Sequence, residues 1–258
     1  FGLVDCNLVL MRLLYSNSAG KVKAMYQPQF TITNKILKNI GVIEASKEVI
    51  ENSPLVPAWE AKFREDAIVR TVHHGTHIEG NDLTFNEAEK VLAGHKIVGR
   101  ERDIQEILNY RNVLRFIEEY KGHGITEEVI KHLHALVAHR ILADEHIGEY
   151  RKTQVVVKNA QTGEVTFRPP PAVEIPFLFV DFFSWLNTVG IDDMHPALKA
   201  GIVHYEFVRI HPFLDGNGRV ARAVALLVLF IQGYDIKRFF SLEEHYDREP
   251  LAYYEALA

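Results

Sequence analysis

Residues 211–222 read His-Pro-Phe-Leu-Asp-Gly-Asn-Gly-Arg-Val-Ala-Arg, and an unbroken apolar run follows them from 223 to 230. An apolar run of this kind is typical of a buried helix. A glycine-containing polar loop that opens such a helix suits an anion, because the free backbone N–H groups and the helix dipole face the ligand. Gly216 and Gly218 let the backbone approach that ligand closely. The stretch therefore predicts a phosphate site.

The side chains of the same stretch supply the other groups that a nucleoside triphosphate and its metal need. Asp215 offers a hard oxygen ligand suited to Mg²⁺. Arg219 and Arg222 lie three residues apart, so both guanidinium groups can reach phosphate oxygens at one end of the helix. His211 titrates near neutral pH, which makes it the candidate base. A capped helix with a core histidine and two surface arginines explains each feature alone, but not their combination.

The spacing His-Pro-Phe-x-Asp-Gly-Asn-Gly-Arg-x-x-Arg resembles the signature of the Fic family at every fixed position. Fic proteins are mostly AMP transferases. The resemblance implies a protein adenylyltransferase that moves AMP from ATP to a Ser, Thr or Tyr hydroxyl of a target protein or of itself. It also implies His211 as the catalytic residue, Asp215 as the ligand of Mg²⁺ or Mn²⁺, and a nucleotide site formed by Asp215, Gly216, Asn217, Gly218, Arg219 and Arg222.

The resemblance also implies a separate role for each side chain. Asn217 and the loop N–H groups would stabilise charge on the α-phosphate in the transition state. Arg219 would bind the β-phosphate and Arg222 the γ-phosphate, while His211 takes the proton of the attacking hydroxyl. Phe213 is expected to point into the core and anchor the loop.

Far upstream, Ile78-Glu79-Gly80-Asn81 resembles the inhibitory motif of the same family, in which a glutamate ends a short helix ahead of the catalytic core. The family has Ser or Thr four residues before the glutamate, but this chain has Gly75 there and a hydroxyl one residue later, at Thr76. The resemblance implies that Glu79 pairs with Arg222 and leaves ATP misplaced, which lowers the rate. An exposed carboxylate at a helix end is the alternative.

Strand signals lie between residues 153 and 167, where two valine-rich segments flank a turn that contains Asn159 and Gly163. The flanking segments Gly148-Glu149-Tyr150-Arg151 and Arg168-Pro169-Pro170-Pro171 resemble the flap region of Fic proteins. The resemblance implies that a target protein docks on this hairpin, near 153–167, by edge-strand pairing.

Hydrophobic spacing and capping residues predict helices elsewhere, so the expected fold class is mostly α: a Fic-type helical bundle with a small β-hairpin flap. The predicted helices cover about 33–52, 58–75, 84–94, 101–120, 126–142, 173–188 and 195–209, ahead of the signature helix. We divide the chain into an N-terminal extension of unknown role (1–32), an N-terminal helical region with the inhibitory motif (33–100), and a Fic catalytic core (101–258).

The composition of the chain limits which binding partners and which cellular compartment are expected. The chain has 258 residues, a net charge of −5 and a single cysteine, Cys6. A single cysteine fits a reducing compartment, so we expect a cytoplasmic protein. The charge argues against nucleic acid as a partner of this segment. The apolar run 8–14 is interrupted by Arg12 and too short to span a membrane, so we expect no membrane partner. The expected partners are therefore ATP, a target protein and a second copy of the chain in a homodimer.

Other functions stay open for the same residues. A phosphotransferase or another nucleotidyltransferase could use this loop, although relatives that phosphorylate usually alter the second half of the signature. A de-AMPylase is open because some relatives use the inhibitory glutamate to help remove AMP. A non-catalytic helical interaction module would need a defective site. His73 and His77 are spaced four residues apart, as a zinc-binding pair would be, but no third ligand is evident nearby, so a structural role is favoured for His73, His74 and His77. For Tyr253 and Tyr254, core packing is favoured over adenine binding.

Overall fold

The computed structural model describes residues 26–158, 163–188 and 193–257, and these ranges form ten α-helices and one hairpin. The N-terminal region of 1–25, with Cys6, and the hairpin turn residue Asn159 lie outside them. The helices are α1 (Asn34–Asn52), α2 (Pro57–His77), α3 (Phe85–Leu92), α4 (Glu101–Glu119), α5 (Glu127–Ala138), α6 (Ile175–Thr188), α7 (Pro196–Ile210), α8 (Asn217–Ile231), α9 (Leu242–Arg248) and α10 (Pro250–Leu257). Short 3₁₀ turns lie at Asp144–His146, Ala172–Glu174 and Ile236–Arg238. The predicted fold class is confirmed.

Helix α8 lies in the core because most of its apolar run is buried. Val220, Val224 and Leu227 have no exposed surface. Helix α7 packs most extensively against α8, and α4 and α5 also pack against it. The polar loop 211–216 joins α7 to α8, so the first turn of a buried helix presents its N–H groups at the edge of the core. Within the described ranges, no helix is long and apolar enough to cross a bilayer.

Helix α2 carries the chain to Glu79 and extends past its predicted end at Gly75 to His77. Gly75 does not cap this helix. A β-carbon there would lie 2.6 Å from Cε1 of Tyr110 in α4 and 3.1 Å from Cγ of Glu243 in α9. The glycine therefore allows close packing of α2 against two neighbours, which explains why the helix continues through it.

Helix α5 is shorter than predicted and ends at Ala138 instead of about 142. Its last carbonyl groups find a partner on α4. Nδ2 of Asn109 donates to the carbonyls of Val137, at 3.0 Å, and His139, at 2.7 Å. Arg140 then takes a left-handed conformation, with φ of 58°. The helix ends where a neighbouring side chain satisfies its terminal carbonyls, which sequence spacing does not reveal.

The hairpin is a small antiparallel pair of strands, β1 (Val157–Lys158) and β2 (Val165–Phe167). Val157 pairs with Phe167 and Lys158 pairs with Val165, with an irregularity between the two pairs. The first strand starts two residues later than the predicted segment 155–157. The division of the chain at 32/33 and 100/101 stays a prediction.

Candidate functional site

The loop 211–216 is held by its own side chains. His211 ends α7 in a left-handed conformation, with φ of 51°, and Gly216 precedes α8 with φ of 78°. Oδ1 of Asn217 accepts from the backbone N–H of Phe213, and Nδ2 donates to its carbonyl, both at 2.9 Å. The Phe213 ring is fully buried. Because the Asn217 side chain is occupied, its backbone N–H is the group left for a phosphate.

One ring nitrogen of His211, at the end of α7, is engaged by the backbone. Nδ1 is 3.2 Å from the carbonyl of Val208, so Nδ1–H donates and Nε2 remains as the basic nitrogen. Burial lowers the pKa of His211, helped by the positive charge of Arg151 and opposed by the Val208 carbonyl, Glu79 and Asp215. The imidazole is therefore held in the neutral form that a general base requires.

Asp215 is a half-exposed carboxylate at the mouth of the loop. Oδ1 accepts from the N–H of Gly216 at 2.6 Å, and Oδ2 accepts from Nη2 of Arg102 at 3.1 Å. No group of three or more His, Cys, Asp or Glu side chains in the described ranges is arranged to hold a metal. One carboxylate still fits Mg²⁺, because Mg²⁺ is commonly held by one or two carboxylates, substrate phosphates and water.

The two arginines of the signature each meet a carboxylate from elsewhere in the chain. Nη1 of Arg219 is 3.0 Å from Oε1 of Glu106, a buried residue of α4. Nη2 of Arg222 donates to Oε1 of Glu79 at 2.8 Å and to the carbonyl of Gly75 at 2.8 Å. The predicted contact between Glu79 and Arg222 is confirmed.

The carboxylate of Glu79 lies beside Gly218 and Arg222, two of the residues predicted to bind phosphate. It lies so close to the first turn of α8 that a β-carbon on Gly218 would collide with its Oε1. The chain's own anion thus sits at the helix N-terminus, beside the guanidinium of Arg222. This geometry shows that the site accepts a negatively charged oxygen.

Comparison with known proteins agrees with this geometry. Residues 124–229 match the model described as "Fic/DOC family". The chain contains a Fic domain. A protein adenylyltransferase Fic from Drosophila grimshawi is 33% identical over 177 residues, which cover 67% of this chain and 35% of that protein. The chain spans about a third of the length of the curated relatives it matches.

Solved structures support the same assignment. A Fic family protein from Desulfovibrio desulfuricans matches with a TM-score of 0.66 and 28% identity, over 90% of this chain and 70% of that one. A Fic domain containing signaling protein from Bacteroides thetaiotaomicron matches with a TM-score of 0.69 and 26% identity, over 83% of this chain and 79% of that one.

His134 of the Fic domain supports the loop, and the sequence did not mark it. Its ring stacks on Phe213 with centroids 3.7 Å apart. Nδ1 accepts from the N–H of Gly148 at 2.9 Å, so Nε2–H donates to the carbonyl of Asp215 at 3.2 Å. Burial lowers its pKa to about 4. A histidine at a core position of α5 carries no motif, so no sequence signal indicated this contact.

Arg151 ties the segment before the hairpin to the Fic signature. Its Nε donates to the carbonyl of His211 at 2.8 Å, and its backbone N–H donates to the carbonyl of Pro212 at 2.8 Å. Nη2 also donates to the carbonyl of Pro170 at 2.6 Å. The resemblance of 148–151 to a flap region was the available signal, although it did not indicate a structural contact.

The remaining candidate residues have structural partners. His74 and His77 contact one carboxylate, that of Asp247, at 2.7 and 2.8 Å. Tyr253 is buried, and its hydroxyl accepts from Nη1 of Arg222 at 3.2 Å. Tyr254 is exposed, with its hydroxyl 3.4 Å from the carbonyl of Ile78. These contacts give the tyrosines and histidines places in the packing around α2, α9 and α10.

Proposed function

We propose that this Fic domain is a protein adenylyltransferase that transfers AMP from ATP to a hydroxyl of a target protein and of itself. Its curated relatives, which are protein adenylyltransferases of the Fic family, support the proposal. The observation that carries it is the position of Glu79: a carboxylate lies at the α8 N-terminus, against Gly218 and Arg222, where a phosphate would bind. The basic nitrogen of His211 belongs to the same loop.

In this mechanism Nε2 of His211 takes the proton as the hydroxyl oxygen attacks the α-phosphorus and pyrophosphate leaves. The N–H groups at the start of α8 stabilise the charge that develops on the α-phosphate. Arg219 binds the β-phosphate and Arg222 binds the γ-phosphate. Mg²⁺ or Mn²⁺ held by Asp215 would draw charge from the leaving pyrophosphate.

Glu79 inhibits this reaction in our proposal. Its bond to Arg222 occupies the guanidinium that the γ-phosphate needs, so ATP binds out of line with the attacking hydroxyl. The structure-based support is the 2.8 Å contact and the close approach of the Glu79 carboxylate to Gly218. The net direction, AMP transfer or AMP removal, depends on the rates with Glu79 in place.

The target protein would pair with the hairpin of β1 and β2. Val165 and Phe167 are exposed on β2, and a short strand with a free edge can accept an extended peptide. A homodimer and a cytoplasmic location stay predictions from the sequence.

The deciding experiment uses two labels. Purified wild type and Glu79→Gly are each incubated with Mg²⁺ and either α-labelled or γ-labelled ATP, and His211→Ala serves as the control. We expect α-label on the protein, most strongly in Glu79→Gly. Label from γ-labelled ATP would instead indicate a phosphotransferase. ATP binding without label in Glu79→Gly would indicate a non-catalytic module, and faster loss of AMP from pre-modified wild type than from Glu79→Gly would indicate a de-AMPylase.

A further inference from the structure

Glu106 is a buried carboxylate at a junction of three elements. It lies in the second turn of α4, and its side chain is 5% exposed. Oε1 is 3.0 Å from Nη1 of Arg219 in α8 and accepts from Nε of Arg102 at 3.1 Å. Oε2 accepts from Nδ2 of Asn81 at 3.1 Å. One carboxylate therefore contacts both the phosphate-binding helix and the segment that carries Glu79.

Asn81 fastens that segment to α4. It lies two residues after Glu79. Its Nδ2 also donates to the carbonyl of Asp103 at 3.0 Å, and its Oδ1 accepts from the N–H of Leu83 at 3.1 Å. Since Oδ1 is occupied, the amide cannot be turned without losing a bond. Asn81 therefore presents its Nδ2 group as a hydrogen-bond donor to residue 106, and the side chain at that position must accept the bond.

Arg219 depends on the same carboxylate for its charge balance. Its side chain is 4% exposed, and Nη2 is 3.6 Å from the half-exposed Asp215. Its Nε and Nη1 are buried and make no aligned hydrogen bond with the described residues. The guanidinium is thus held mainly by the charge of Glu106. A buried guanidinium without a carboxylate would be strongly destabilising.

We propose that Glu106 is a positioning residue that orients Arg219 for the β-phosphate and, through Asn81, holds the Glu79 segment on the same carboxylate. Only a carboxylate accepts at both ends. A glutamine at this position would turn an NH₂ group toward either Asn81 or the arginines. The identity of the ligand as ATP rests on the proposed function, whereas the coupling rests on the contacts of Glu106.

The test is a double-mutant cycle in the Glu79→Gly background, with Glu106→Gln, Arg219→Gln and both together. ATP affinity is measured by equilibrium binding of α-labelled ATP, and kcat and KM by auto-modification. We expect each single variant to weaken ATP binding about tenfold or more, about 1.4 kcal/mol. The double variant should bind ATP within about twofold of Arg219→Gln alone, because Glu106 acts through Arg219. Glu119→Gln, an exposed change on the same helix, is the matched control and should change nothing.

Additive losses, or an unchanged affinity in Glu106→Gln, would overturn the positioning role. If Glu106→Gln alone does not fold, the double variant removes both charges and is compared directly with Arg219→Gln. A further tenfold loss of ATP affinity in that comparison would also overturn it. If the protein binds ATP but transfers no AMP, the proposed function is overturned. The ATP affinities of the double-mutant cycle would still test the role of Glu106. Absence of ATP binding in Glu79→Gly would overturn both.

A second measurement tests the link to Glu79. Asn81→Ala should raise auto-modification several-fold when Glu79 is present and should have no effect in the Glu79→Gly background. Equal effects in the two backgrounds would show that Asn81 supports the fold without restraining Glu79, and would overturn this half of the proposal.

Discussion

Two arginines on one face of α8 meet carboxylates in very different surroundings. Arg222 bonds to Glu79, which lies in a turn after α2 and has a 30% exposed side chain. Arg219 pairs with Glu106, which lies inside α4 and is 5% exposed. A carboxylate in a turn at the surface can leave without unfolding the core, whereas one inside a packed helix cannot. The difference separates an exchangeable anion from a permanent one.

The energies follow the same division. A partly exposed hydrogen bond to a charged group contributes about 1.5–3 kcal/mol, which phosphate oxygens can replace. Removing one partner of a buried ion pair costs about 3–5 kcal/mol, because the other charge stays buried. We therefore expect ATP to displace Glu79 from Arg222 and to leave Glu106 on Arg219. Variants of either region test this division. A variant of His211, which contacts neither carboxylate, tests the proposed base catalysis separately.

The largest effect is expected for His211→Ala. General base catalysis contributes roughly 10²- to 10⁴-fold, so AMP transfer should fall by that factor. ATP affinity should stay within a few-fold, because the exchange of anions at the arginines does not involve the imidazole. Transfer is measured with α-labelled ATP in the Glu79→Gly background, where the rate is highest. Full activity in His211→Ala would remove the proposed base.

Glu79→Gly should raise auto-modification by about ten- to a hundredfold, which is the rate equivalent of the lost bond to Arg222. Adding Arg222→Ala should remove much of the gain, because the γ-phosphate then loses its ligand. Asp82→Ala, a change at an exposed carboxylate nearby, is the control. If the wild type is active and Glu79→Gly is no faster, the carboxylate is not inhibitory and the comparison between the two arginines fails.

The exchangeable half of this comparison was visible in the sequence, and the permanent half was not. The signature 211–222 and the segment 78–81 resemble two motifs of the Fic family, and that resemblance implied the contact between Glu79 and Arg222. Glu106 belongs to no motif. It lies among other charged residues at the start of α4, and only the packing of α4 against α8 shows that it is buried.

The predicted end of α2, at about Gly75, lies two residues before the observed end at His77 for a related reason. A glycine near a helix end usually indicates termination, and the sequence does not show that Tyr110 and Glu243 pack against this position. The hairpin was predicted from valine runs, but the tie between Arg151 and the carbonyl of His211 came from the structure. Local patterns predicted the elements, whereas close approaches between distant elements needed coordinates.

Asp215→Ala should lower the transfer rate about tenfold, a factor equivalent to about 1.4 kcal/mol, and weaken its dependence on Mg²⁺ or Mn²⁺. Its carboxylate is the metal ligand in the proposed mechanism, and it contacts Arg102 and Arg219. Rates are measured across a Mg²⁺ titration and in excess EDTA. Undiminished transfer in EDTA would contradict the assignment and would leave Asp215 as a partner of the arginines only.

A smaller gain is expected from Gly75→Ala, which disturbs the end of α2 next to the exchangeable carboxylate. The new β-carbon would approach Tyr110 within 2.6 Å, and overpacking of this kind costs about 1–3 kcal/mol. Shifting the end of α2 should weaken the hold on Glu79 and raise auto-modification by about two- to tenfold. Gly41→Ala, in α1 with nothing within 4 Å of the new carbon, is the matched control. A wild-type rate with a lowered melting temperature would show that α2 shifts without releasing Glu79.

The smallest effect is expected in the pH dependence of the reaction. It distinguishes the two carboxylates by their influence on the pKa of His211. Burial lowers the pKa of His211 below 6.5, and Glu79 opposes that change. The base form is neutral, so kcat/KM should stay level from pH 8 to 6.5 and fall only as pH drops through the lowered pKa of the free enzyme. Removing Glu79 removes a negative charge, which should move this acid limb to still lower pH. Glu106→Gln should leave the limb in place, because Glu106 is not among the main groups that shift the pKa of His211. The measurement is the profile of kcat/KM from pH 5 to 8 for the wild type, Glu79→Gly and Glu106→Gln, and the position of the acid limb is compared among the three. An acid limb that stays at the same pH in Glu79→Gly as in the wild type would mean that the pKa of His211 does not respond to the exchangeable carboxylate.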